Sequence, residues 1–138
     1  MYPKTYIGFM CDNATNFGPA IDRGMIRSHH NFPWKYDVRT FKKNLTHDIN
    51  NGQLIIECTK TINLRNTDEQ FLVTVDSLSI DKDNDDLTIN GEMLKNSYNT
   101  IFTSADKKIQ FNFKLNPTGT KGGSGFVICF KSKKFKIS

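Results

Sequence analysis

Asp81, Asp83 and Asp85 alternate along the chain and Glu92 follows eleven residues after Asp81, which is the register of a looped calcium site. The register is incomplete. Asp86 stands where the sixth position wants glycine, Thr88 occupies the eighth, and no helix is expected on either side, so the segment is not an EF-hand. A hard cation needs six to eight oxygen ligands, more than one turn supplies, so a second loop such as Ser104 to Asp106 would have to converge on it. The candidate ligands from the spacing are therefore Asp81, Asp83, Asp85 and Asp106, with calcium as the candidate ion and no other cofactor expected. A turn rich in Asp and Asn also forms without any metal, because these side chains bond their own backbone.

Two further groups carry chemistry. Residues 29–36 read His-His-Asn-Phe-Pro-Trp-Lys-Tyr, a loop, because Pro33 lacks a donor and pushes Phe32 to extended geometry. Phe32, Trp34 and Tyr36 are its candidate partner contacts, since exposed aromatic rings anchor protein and sugar ligands; the alternative is that the rings plug one open end of the fold. Near the C-terminus Lys131, Lys133, Lys134 and Lys136 form the densest positive cluster, expected to hold polyanions weakly and without sequence specificity. Terminal lysines also serve solubility and edge protection alone.

Signatures of catalysis are missing. His29, His30 and His47 lie in no G-x-S-x-G context, no HExxH motif occurs, and the glycine-rich stretch Gly119–Gly125 lacks the order of a phosphate loop. The expectation is a protein that is not an enzyme. Cys11, Cys58 and Cys129 are far apart and form no CxxC, so no zinc site of standard spacing is available; an odd count allows one disulfide and one free thiol. Asn13-Ala-Thr15 and Asn44-Leu-Thr46 are glycan acceptors if the chain is secreted.

The net charge of +5 over 138 residues tilts the chain toward anionic partners without marking a specific nucleic-acid binder. No apolar run reaches the ~20 residues that span a bilayer, and the opening segment has neither a basic flank nor a long apolar stretch. On the secreted reading, a signal would already have been removed.

Positioning these groups falls to strands. Ile109, Phe111, Phe113 and Leu115 alternate with polar residues, the pattern of a strand with one dry and one wet face. Leu54, Ile56, Cys58, Ile62 and Leu64 share one parity, with only Ile55 and Lys60 out of place. Phe71–Ile80 and Leu87–Ile89 are expected to pair as a hairpin about the acidic turn, and Ile109–Leu115 with Phe126–Lys131 about the glycine-rich loop. Shorter strands are expected at Thr5–Met10, Gly24–Ser28, Val38–Phe41 and Thr100–Thr103, and at most one helical turn at Glu92–Asn96. The fold class is all-β, a two-sheet antiparallel sandwich of the jelly-roll or CUB-like kind, in one domain spanning 1–138: an N-terminal extension or first strand over 1–23, a core over 24–131 and a basic tail over 132–138.

Gly24-Met25-Ile26-Arg27-Ser28 followed by Asn31-Phe32-Pro33-Trp34-Lys35-Tyr36 resembles the opening of a CUB domain, G-x-I-x-S and then an aromatic, Pro, two residues and Tyr, with one extra residue between the halves. Asp86-Leu87-Thr88-Ile89-Asn90-Gly91 is similar to that family's D-x-L-x-I-x-G segment, and Gly125-Phe126-Val127-Ile128-Cys129-Phe130 to its closing G-F-x-(I/A)-x-(Y/F). The chain departs from the family after Tyr36, where the usual Cys-x-Trp-x-Ile segment is missing, and its cysteines do not occupy the customary positions. The resemblance implies an extracellular, non-catalytic module that recognises a protein or glycan through loops at one end of the sandwich, with Asp86 helping to hold a loop calcium. The rival expectation is a structural subunit of a virion or other assembly.

Overall fold

The computed structural model describes residues 4–17, 21–37, 39–41, 45–47, 52, 54–64, 69–94, 98–103, 106–116, 119 and 121–134. They form eleven strands: β1 Lys4–Phe9, β2 Asn16–Phe17, β3 Ile21–Arg27, β4 Leu45–His47, β5 Leu54–Asn63, β6 Glu69–Ser79, β7 Asp85–Ile89, β8 Glu92–Met93, β9 Asn99–Thr103, β10 Lys108–Leu115 and β11 Gly125–Lys134. One sheet has the order β1-β3-β11-β6-β9 and the other β2-β5-β10-β7-β8, with β4 paired to β5. All neighbours are antiparallel except β1 with β3 and β2 with β5. The protein is an all-β, two-sheet sandwich. Among the described residues no helix is long and apolar enough to cross a membrane.

Alternation builds the core. Ile109, Phe111, Phe113 and Leu115 of β10 are all buried, as are Phe126, Ile128 and Phe130 of β11 opposite them. Phe113 and Phe126 meet edge to face across the two sheets with ring centroids 5.1 Å apart. The expected hairpin is not formed, because β10 and β11 belong to different sheets. The acidic turn likewise closes no hairpin, since β6 pairs with β11 and β9 whereas β7 pairs with β10 and β8. Turn chemistry sets where a chain reverses; the sheet it re-enters is set by which inward faces it must cover.

Other elements also differ from expectation. Glu92–Met93 is a strand, not a helical turn, because Asn90 and Gly91 both take positive φ, 46° and 86°, and close a two-residue hairpin from β7 to β8. Arg39–Phe41 is a short 3₁₀ turn, not a strand. Asp37 starts it, accepting the backbone N–H of Arg39 at 2.9 Å and of Thr40 at 3.3 Å. Val38 lies outside the described residues. The first strand is integral to the sheet, and β11 runs on to Lys134 opposite Glu69, so the basic segment begins as strand.

The residue out of place on β5 proves to be a buried ion. Lys60 has no exposed surface, and its ammonium donates to Asp12, to the Tyr6 hydroxyl at 2.7 Å and to the Ala14 carbonyl at 2.5 Å. Three donors thus meet three acceptors. Tyr6 donates in turn to Asp12 at 2.6 Å, and the Phe9 N–H reaches the same carboxylate at 2.9 Å. Partial burial by itself would raise the Asp12 carboxyl, but Lys60, Tyr6 and Phe9 outweigh it and hold its pKa below the ordinary value. A disulfide joins the flanking residues, Cys11 to Cys58, so the same loop is fastened to β5 twice.

Two outcomes follow for stability. Asp12→Ala leaves a buried ammonium short of its counter-ion and should cost about 3 kcal/mol in urea unfolding at neutral pH, against about 1 kcal/mol for a surface pair. A depressed carboxylate contributes stability above its unfolded pKa and loses it as pH falls through the folded one, so the gap between wild type and variant should close below pH 3.8. Non-reducing intact mass with thiol labelling should find one labelled cysteine, Cys129.

Candidate recognition end of the sandwich

Three connections meet where β3, β6 and β10 end, through residues 28–37 and 39–41, residues 80–84, and residues 116, 119 and 121–124. Tyr36 N–H donates to Gly123 O at 2.9 Å, Asn116 N–H to Asn84 O at 3.2 Å, and Ser28 N–H to Phe126 O at 2.9 Å. The Asp81 carboxylate accepts the Lys121 N–H at 2.7 Å and the Asn84 side-chain amide at 3.0 Å. These bonds, the Lys121 N–H foremost, hold the Asp81 carboxyl below its ordinary pKa. The acidic turn and the aromatic loop, far apart in sequence, are therefore one surface.

Inside that surface, Tyr36 is fully buried and donates its hydroxyl to Asp85 at 2.6 Å. Burial and then the Asp85 carboxylate push the Tyr36 pKa up, so the phenol keeps its proton and remains the donor. Its ring packs edge to face on Phe41 at 5.5 Å, Phe113 at 5.9 Å and His29 at 5.5 Å. His29 is buried beside it. Its Nε2–H donates to the Trp34 carbonyl, and its Nδ1 accepts the Ser28 hydroxyl at 2.6 Å, which assigns the neutral Nε2–H tautomer. Gly125 at φ 102° makes room, since a Cβ there would stand 2.0 Å from the Ser28 Oγ. Burial lowers the His29 pKa, offset in part by the Trp34 carbonyl.

Trp34 is the outcome of this packing. Its N–H donates to Asn31 O at 2.7 Å and its carbonyl is held by His29, yet 75% of the residue is exposed. Of the three aromatic candidates, then, Trp34 presents its ring, Phe32 is half-buried against His29, and Tyr36 is withdrawn from the contact surface because its hydroxyl serves Asp85. The peptide between Phe32 and Pro33 is cis.

The acidic candidates do not share one place. Asp81 ties two loops, Asp83 and Asp86 are exposed, and Asp85 is buried on Tyr36. Counted back from Gly91, the spacing D-x-L-x-I-x-G begins at Asp85, the inward residue, and not at Asp86. Asp106 caps the turn before β10, accepting the Thr103 N–H at 2.7 Å. The register puts Asp85 opposite Leu115 at the other end of β10, about 25 Å away for an eight-residue strand, so Asp106 does not join the acidic turn. Among the described residues no three His, Cys, Asp or Glu side chains are grouped as metal ligands. Lys131 is exposed on the outer face of β11, Lys133 and Lys134 pair in register with Gln70 and Glu69, and Lys136 lies outside the described residues.

Ser28, His29 and Asp85 are the site residues that sequence reasoning passed over as structure-bearing. For Asp85 a signal existed: it shares parity with Leu87 and Ile89, all three buried. No protein-family model and no curated protein matches the chain.

The pH behaviour of the loop follows from His29. A histidine whose folded pKa is depressed leaves the unfolded chain holding more protons between the two values, so its contribution is full above 6.5 and is lost as pH falls through the folded pKa. Denaturant unfolding between pH 7.5 and 5 should show this loss in the wild type and not in His29→Gln. An equal slope in both would refute the neutral, buried assignment.

Proposed function

We propose that the chain is a non-enzymatic recognition module, extracellular in setting, that binds a protein or glycan through the loop end bearing Trp34. The observation that carries the reading is a large ring left 75% exposed on a backbone bonded from both sides. Exposure of a rigid, amphipathic ring at low entropic cost is what a recognition contact requires. Arg39, Lys35, Lys121 and Asp83 stand exposed on the same loops and provide a polar rim. The CUB-like motifs support the reading, for Ser28 of the first and Gly125 and Phe126 of the last meet in space to seat the loop.

A catalytic reading has less support. The Ser28–His29 pair has the atoms of a nucleophile and its base, but Ser28 is wholly buried under Gly125 and His29 nearly so, and neither faces a substrate.

Trp34 is the single tryptophan, so its fluorescence reports ligand contact directly. Screening wild type and Trp34→Ala against immobilised neutral and sulfated glycans and extracellular-matrix proteins should find a ligand whose affinity falls about tenfold or more in the variant. The variant should keep the wild-type melting temperature, since the ring is outside the core. Ligands that bind both forms equally would remove Trp34 from the function.

A further inference from the structure

The outer face of the five-stranded sheet is not the polar face that solvent alone would demand. Register lines up Ile7, Met25, Cys129 and Thr74 across β1, β3, β11 and β6, and beside them Arg23, Lys131, Leu72 and Ile101. Ile7 is 70% exposed and Ile101 44%. Between these rows lies a shallow cavity of about 200 Å³ lined by Leu72, Thr74, Asp76, Cys129, Phe130 and Lys131. A mostly apolar depression, with the Asp76 carboxylate at its edge, adjoins a positive rim there.

The rim is the more telling. Arg23 and Lys131 sit directly opposite one another, where Cβ atoms are about 5 Å apart and like charges repel. Neither forms an ion pair with a described residue, and Arg27 adds a third exposed cation on the same face of β3. The carboxylate lining the cavity, Asp76, accepts the Cys129 thiol at 3.1 Å, and burial together with that carboxylate pushes the thiol pKa up to about 11. Cys129 is therefore a protonated, weakly polar part of the lining.

Size chooses between ligand types. At about 200 Å³ the depression falls short of the ~300–1,000 Å³ that encloses a small molecule, but it admits one side chain from a larger body. We propose that this face docks a partner protein that inserts an apolar side chain into the cavity and sets carboxylates against Arg23 and Lys131. The anion relieves the cross-strand repulsion, and the apolar insertion covers Leu72 and Ile101. This surface is separate from the loop end, and its occupation does not depend on Trp34.

A fluorescein-labelled peptide with one phenylalanine between glutamates is the probe, read by anisotropy against versions with alanine for the phenylalanine or glutamine for the glutamates. Saturable binding is expected, weakened about tenfold by either peptide change, by Arg23→Gln with Lys131→Gln, and by Thr74→Phe, which fills the depression, but unchanged in Trp34→Ala. All these positions are on the outer face or an exposed loop, and an unchanged melting temperature certifies the fold. The proposal is overturned if the peptide fails to bind at millimolar concentration, if the alanine peptide binds equally well, or if removing Arg23 and Lys131 has no effect.

Discussion

The hydroxyl of Tyr36 reaches through the end of the sandwich to Asp85, and the orientation of the whole loop follows from that contact. Once the Tyr36 ring is seated among His29, Phe41 and Phe113, the chain on either side has little freedom. His29 then takes the carbonyl of Trp34, and Gly123 accepts the N–H of Tyr36. With so many polar groups satisfied inward, the one large ring left over is Trp34. A buried carboxylate is costly unless hydrogen-bonded, so losing the Tyr36 donor would release both the charge and the loop it anchors.

The opposite strain in the design is handled at β5. Lys60 occupies a position that the pattern reserves for an apolar side chain, and it is accommodated only because Asp12, Tyr6 and Ala14 supply a complete set of acceptors. The disulfide between the neighbouring Cys11 and Cys58 keeps that acceptor loop over the ammonium. Closing 47 residues restricts the unfolded chain by about 4 kcal/mol in the chain-entropy picture. The N-terminal segment is thereby part of the fold, and it carries β1, which brings Ile7 to the outer face beside Met25.

Much of the fold was legible because a half-buried strand writes its two faces into alternate residues, as Ile109–Leu115 does. Sheet membership was not, since a turn such as Asp81–Asn84 has the same composition whether it closes a hairpin or crosses between sheets. Parity did hold two facts that a local reading overlooks: Lys60 on the inward row of β5, and Asp85 on the inward row of β7 beside Leu87 and Ile89. The loop was opaque for a different reason. Residues 29–36 have no period, so nothing local separates the buried Tyr36 from the exposed Trp34; only the tertiary partners Asp85 and Gly123 do so. Cross-strand neighbours such as Arg23 and Lys131 are likewise invisible until the register is known.

Trp34 is exposed at its ring and fixed at its backbone. Time-resolved anisotropy of the single tryptophan, measured together with acrylamide quenching, addresses both halves at once. Ready quenching is expected, with a decay dominated by tumbling of the whole molecule. Protection from acrylamide, or a large depolarisation by local loop motion within nanoseconds, would contradict it.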